Sequence, residues 1–209
     1  MSKAAKKPIM RCLFCHEDIC KDLSVWELLV GDDVLCGRCR HQWIRNRKVN
    51  HINGVEVRSS YVYNEAFAKV LIQYKECFDE ALYPVFLWPE RFMFRIRYHG
   101  YTLVPVPSSL SKVEERGFDH VEQMFRITGL PIKHCLEKID EGSQKERGAL
   151  GRMRMEHGFR LKEGVRLPEK ILLVDDVCTS GNSIRGCLAV LGRRKGIKVY
   201  TVATHPLNV

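Results

Sequence analysis

The chain has 209 residues, 45% of them hydrophobic, and carries a formal net charge of +9. That composition supports one domain of ordinary size plus a small appendage, and it excludes global disorder. No run of 18 apolar residues occurs, and the opening MSKAAKKPIMRC has no apolar segment, so neither a membrane span nor a secretory leader is expected. The chain reads as soluble and cytoplasmic. Basic residues collect at 38–48, 91–97, 145–154 and 193–198. They favour polyanionic partners, and a merely solvated basic surface is the plain alternative.

Cys12-Leu-Phe-Cys15 and Cys36-Gly-Arg-Cys39 are separated by twenty residues, giving C-x2-C-x20-C-x2-C. Each pair can turn two thiolates toward one ion, and two pairs complete a closed tetrahedral site. The expectation is a structural zinc ribbon over residues 1–55, with Cys12, Cys15, Cys36 and Cys39 as ligands. Arg11, Arg38 and Arg40 would offset the negative charge of a four-thiolate centre. His16 and Cys20 stand outside the pairs and are read as bystanders, while Phe14, Trp26 and Trp43 are read as packing. Reduced, unliganded cysteines are the alternative. An odd total of nine cysteines without a leader argues against secreted disulfides.

Residues 40–62 are polar and basic, which puts a boundary near residue 55 and a second domain over 56–209. From Tyr63 a helical pattern aligns Phe67, Val70, Leu71 and Tyr74 until Pro84 and Pro89 interrupt. Tyr101 to Pro107 reads as a strand ending in a loop, because proline cannot donate to a central ladder. Residues 108–117 read as a polar loop and 118–127 as a helix. Strand, loop and helix start suggest an anion site that includes Pro107 and Ser108, with Arg116 able to clamp a pyrophosphate. A surface arginine is the alternative. The polar stretch 140–148, with 150–159, reads as a lid that excludes water.

The segment KILLVDDVCTSGNSIRGCLAVLG, residues 170–192, is the most informative in the chain. Ile171 to Val174 is an all-apolar run, as expected for a strand covered on both faces. Ile184, Cys187, Leu188 and Leu191 recur at helical spacing, so a helix begins near Asn182. Between them Thr179, Ser180, Gly181, Asn182 and Ser183 form a loop whose hydroxyls and backbone N–H groups suit a phosphate. Asp175 and Asp176 are expected at the strand's carboxyl end, placed to meet sugar hydroxyls or a hydrated Mg²⁺. An ordinary βα turn is the alternative. A final strand is expected over 198–204.

This segment resembles the ribose-phosphate loop of type I phosphoribosyltransferases: an apolar strand, two acidic residues and a Thr-Ser-Gly loop. Taken with the two CxxC pairs, Val104-Pro105-Val106-Pro107 and Arg116-Gly117-Phe118, the chain resembles the ComF family from Cys12 to about Ala203. The resemblance implies an α/β fold of the type I phosphoribosyltransferase class, a parallel sheet flanked by helices, with an N-terminal four-Cys zinc ribbon. It implies that Val177, Cys178, Thr179, Ser180, Gly181, Asn182, Ser183, Pro107 and Ser108 bind phosphoribosyl pyrophosphate with Mg²⁺. Asp175, Asp176 and Arg116 would be the catalytic set, with Gln144, Arg152 and Phe159 around the lid. The implied activity is phosphoribosyl transfer in natural competence and DNA uptake, beside a ComFA-type helicase and single-stranded DNA. A catalytically inactive module that recruits those partners, and a nucleotide-salvage enzyme, are the alternatives. The chain departs from the family at Asp119-His120, where Asn-Gln is common, at Met155 in the lid, and at Ser180, Asn182 and Ser183.

Overall fold

A computed structural model describes residues 11–19, 33–139, 158–192 and 194–206. In chain order they form α1 (Gly37–His41), β1 (Val49–Ile52), β2 (Val55–Val62), α2 (Glu65–Glu76), α3 (Arg91–Arg97), β3 (Thr102–Pro105) and α4 (Leu110–Arg116). There follow α5 (His120–Arg126), β4 (Leu136–Lys138), β5 (Phe159–Leu161), β6 (Ile171–Cys178), α6 (Asn182–Leu191) and β7 (Ile197–Thr204). The main sheet has the order β1-β2-β7-β6-β3, and every pairing except the β1–β2 hairpin is parallel.

Strand β6 sits inside this sheet, and Ile171 to Val174 are fully buried. Side chains alternate across a strand, so the run serves two cores at once. Leu172 and Val174 pack with Phe67 and Tyr74 of α2 and with Val121, Met124 and Phe125 of α5. Ile171 and Leu173 pack with Ile184, Cys187, Leu188 and Leu191 of α6, and with Leu136 and Phe159 from the β4–β5 pair. Helices on both faces of a mostly parallel sheet make this a mixed α/β fold.

Three expectations change. The first concerns residues 40–62, read as a polar, basic stretch with a boundary near 55, which carry a hairpin. Asn53 and Gly54 both have positive φ, the pattern of a two-residue hairpin turn. Strand β1 is an edge with half its residues exposed, so its apolar signal is diluted. Residue 55 opens β2, and the hairpin therefore spans the proposed boundary. Cys12, Leu35, Cys36 and Trp43 share one core with Tyr61, Phe67 and Phe86.

Secondly, residues 108–117 contain α4, which ends at Gly117 in the left-handed conformation. Finally, β6 runs on to Cys178, placing Asp175 and Asp176 within the strand. Strand β7 continues beside them and pairs Asp175 with Thr201 and Cys178 with Thr204. A ready partner ladder extends a strand past its apolar stretch. The helix read from 118 begins at His120, capped by Asp119, whose Oδ1 accepts from the backbone N–H of Val121 and Glu122. The helix expected near Asn182 begins there, and the final strand covers Ile197–Thr204. The lid residues Gln144, Arg152 and Met155, together with Cys20 and Trp26, lie outside the described residues.

Candidate functional site

Beyond the carboxyl half of β6 lies a cavity of about 380 Å³. Asp175, Asp176, Arg116, Val177, Thr179, Ser183, Pro107 and Ser108 all line it. The two loops that follow β3 and β6 thus meet at one place, because β3 and β6 are parallel neighbours. Cys178, Ser180, Gly181 and Asn182 are not among its lining residues. Cys178 is turned into the core with Ile184 and Cys187. Ser180 gives its carbonyl to Arg185 Nη1 at 2.6 Å. Gly181 is the N-cap of α6 at φ +75°, and an added Cβ would lie 2.9 Å from Ile52 Cδ1. A tight left-handed turn under the β1–β2 hairpin therefore needs glycine here. The first N–H groups of α6 have no intrahelical acceptor and give this end a positive character.

Asp176 is the hub of the site. It continues the parity of Leu172 and Val174 and so faces α2 and α5. Lys75 Nζ donates to its Oδ2 at 2.6 Å, and His120 Nε2 lies 3.3 Å from the same atom. Its Oδ1 accepts from the N–H of Val177 at 2.6 Å. Burial opposes ionisation, yet the His120 hydrogen bond and the Lys75 charge outweigh it and hold Asp176 well below the usual carboxylate range. Asp175 shows the opposite effect. Burial first, and then the neighbouring Asp176 charge, push its carboxyl well above the ordinary value.

Arg116 is buried and braces this hub. Its Nε donates to the Lys75 carbonyl at 3.0 Å, and its Nη1 lies 3.0 Å from His120 Nδ1. A guanidinium only donates, so His120 Nδ1 accepts and its proton sits on Nε2, aimed at Asp176. Lys112 and Lys138 add two further cations to the cavity wall.

At the other end of the chain the sulfur atoms of Cys12, Cys15, Cys36 and Cys39 all lie within 4.8 Å of one another. A tetrahedron with metal–sulfur bonds of about 2.3 Å has edges of about 3.8 Å, so the cluster needs only slight contraction to hold a metal ion such as zinc. Burial works against the Cys15 thiolate, but hydrogen bonds from the Glu17 backbone and the neighbouring thiols bring its pKa down to about 7. Arg38 hydrogen-bonds Cys15, as the charge argument expected. Arg40 does not serve the cluster. It grips Asp33 through two N–H groups at 2.7 Å and donates to the Val85 carbonyl, docking the cysteine module on the main body.

No family model matches the chain. It is 29% identical over 222 residues to "Competence protein ComFC" of Streptococcus pneumoniae (strain ATCC BAA-255 / R6), covering 92% of this chain and 99% of that protein. It is 24% identical over 189 residues to "Competence protein ComFC" of Bacillus subtilis (strain 168), covering 88% of this chain and 71% of that protein. Both matches cover most of the chain and support a ComFC-like protein of the ComF type.

Sequence reasoning missed Lys75, His120, Lys112 and Lys138 as cavity residues. Lys75 was visible as the residue after the apolar stripe of α2, but only the pairing across the sheet face identifies its partner. His120 departs from the Asn-Gln that the ComF resemblance implies after Arg116-Gly117-Phe118, and that departure was its one signal. Among the described residues no helix is long and apolar enough to cross a membrane.

Proposed function

We propose that this ComF-family chain has the type I phosphoribosyltransferase fold and binds phosphoribosyl pyrophosphate in the cavity beyond β6, acting in natural competence. The observation that carries the reading is the convergence on one cavity of two adjacent carboxylates, Thr179 and Ser183 from the two ends of the turn at a helix start, and the loop after β3. The curated relatives named as competence proteins supply the biological setting. The domain division assigns residues 1–55 to a zinc-holding module and 56–209 to the ligand-binding body.

Each group has a task in this reading. Backbone N–H groups and hydroxyls of Thr179 and Ser183 receive the 5′-phosphate. Asp175 and Asp176 accept from the ribose hydroxyls and stabilise positive charge growing at the anomeric carbon as its bond to pyrophosphate breaks. Arg116 contributes charge from a fixed position, while Lys112 and Lys138, which have no ion-pair partner among the described residues, can meet the pyrophosphate. Mg²⁺ fits at Asp175, because Asp176 already has Lys75 and His120 whereas Asp175 is a half-buried acid pressed by a neighbouring anion; bound there, it would neutralise pyrophosphate charge.

The same geometry favours a second reading, in which the ligand is held and not turned over. Two N–H groups of Arg116 are spent on Lys75 and His120, so it cannot reorganise around a departing pyrophosphate without dismantling the hub. The chain would then act as a ligand-dependent module for a ComFA-type helicase and single-stranded DNA. Calorimetric titration with phosphoribosyl pyrophosphate and Mg²⁺ tests what both readings share. Saturable heat, weakened at least tenfold in Thr179→Ala/Ser183→Ala, is expected; no heat at millimolar ligand would sink both. Labelled ligand incubated with cell extract then separates transfer from binding alone.

A further inference from the structure

A second cavity, of about 360 Å³, opens at the β1–β2 edge of the sheet and shares no lining residue with the cavity beyond β6. Residues 44–46 run antiparallel to β2, with Val62 N–H donating to the Ile44 carbonyl and Asn46 N–H to the Ser60 carbonyl. Regular pairing resumes at Val49 opposite Arg58. Arg47 and Lys48 lie between and bulge out of the ladder. Asn46 closes the bulge by itself, its Oδ1 accepting from Lys48 N–H at 3.1 Å and its Nδ2 donating to the Lys48 carbonyl at 3.3 Å. Bulges of this kind re-aim side chains, and here they aim two cations over one cavity.

The wall carries Arg45, Arg47, Lys48, Arg58 and Arg97 against a single carboxylate, Glu90. Arg45 pairs with Glu90 and lies over the Tyr61 ring, and Arg58 pairs with Glu56. Arg47, Lys48 and Arg97 are exposed and have no ion-pair partner among the described residues. The floor is polar and nearly closed: Ser60 and Tyr200 are 5% and 4% exposed, and both hydroxyls lie 2.8 Å from Glu90 Oε2. Glu90 is thus consumed internally by Ser60, Tyr200 and Arg45. Three unpaired cations over a concave polar floor repel one another until an anion arrives, and fork-shaped guanidinium groups match phosphoryl oxygens.

The geometry points to a second phosphate-binding site at this sheet edge, formed by Arg47, Lys48 and Arg97. The volume suits a small polyphosphate or one or two linked phosphates of a strand. Its chemistry is that of phosphoryl oxygens, whether from a free polyphosphate or from a single-stranded backbone, and it does not depend on the cavity beyond β6.

The test compares a parent chain with the edge cations intact, Arg47→Ala/Lys48→Ala/Arg97→Ala, and a control with the same loss of charge, Lys162→Ala/Arg166→Ala/Lys195→Ala. The probes are sodium tripolyphosphate, by calorimetry, and a fluorescent oligothymidylate, by anisotropy over a salt series. All are made in a Ser183→Glu background, which repels anions from the other cavity. Thermal unfolding first confirms that the exposed substitutions leave the fold intact. A drop of tenfold or more for tripolyphosphate in the edge variant alone assigns the site to a free polyphosphate. A drop confined to the oligonucleotide, with the slope of log K against log salt reduced by about 2, assigns it to backbone phosphates. Equal weakening in the edge variant and the control, or no binding of either probe, overturns the site.

Discussion

Lys75 and Asp176 stand 101 residues apart in the chain and meet at 2.6 Å, joining the last turn of α2 to the carboxyl half of β6. This contact ties the helical layer to the strand that carries the candidate site. Lys75 also offers its own carbonyl to Arg116, so a single residue touches both ends of the Arg116–His120–Asp176 chain.

Lys75→Met should therefore destabilise the protein by about 2 kcal/mol, since a nearly buried carboxylate loses its ammonium and keeps only His120 and the Val177 N–H. The double variant Lys75→Met/Asp176→Asn should cost less than the two single losses combined. Denaturant unfolding of the four-member cycle measures this. Strict additivity would mean that the pair does not couple.

The two aspartates should respond oppositely to pH. Asp176 has its folded pKa below the ordinary 3.8, so its contribution is complete above that value and fades as pH falls through the folded value. Asp175 has its folded pKa well above 3.8, so its contribution is complete below 3.8 and is lost as pH rises through the folded value. Asp175→Asn should then raise Tm near pH 8 in the absence of ligand, with the gain vanishing near pH 4. Asp176→Asn should lower Tm near pH 8. A lower Tm for Asp175→Asn across the whole range would contradict the assignment.

Much of this was legible in the sequence and some was not. The 171–174 run, the start of α6 at Asn182 and the four cysteines could be read directly, because each depends on local pattern or fixed spacing. The β1–β2 hairpin was hidden because its edge strand alternates exposed and half-buried residues with Val49 facing out and Asn50 in, and Asn53-Gly54 was the overlooked turn signal. The extension of β6 through Asp175 and Asp176 was illegible for another reason. It depends on β7 lying alongside, which no local window reports. Lys75 and His120 escaped likewise, since their roles arise from packing across the sheet face.

Gly181→Ala should cost about 1–3 kcal/mol, combining left-handed strain with a methyl group set against Ile52. Adding Ile52→Val should return the steric part and leave the strain. Full recovery in the double variant, measured by chemical denaturation, would show that φ is not the constraint.

Metal removal should lower one cooperative transition and not melt a separate ribbon. Cys12 and Cys36 lie in the same core as Trp43, Tyr61, Phe67 and Phe86, so the module and the body share their packing. Calorimetry with and without a chelator should show a single peak shifted down, by about 3 kcal/mol or more of stability. Two resolved peaks would contradict the shared core. Metal analysis should give one zinc per chain.

The central claim concerns where one ligand sits. A crystal structure grown with phosphoribosyl pyrophosphate and Mg²⁺ tests it most directly. The 5′-phosphate is expected against Thr179 and Ser183 at the start of α6, with the ribose hydroxyls on Asp175 and Asp176. Ligand density elsewhere, or an empty cavity in a chain that binds the ligand in solution, would contradict the account.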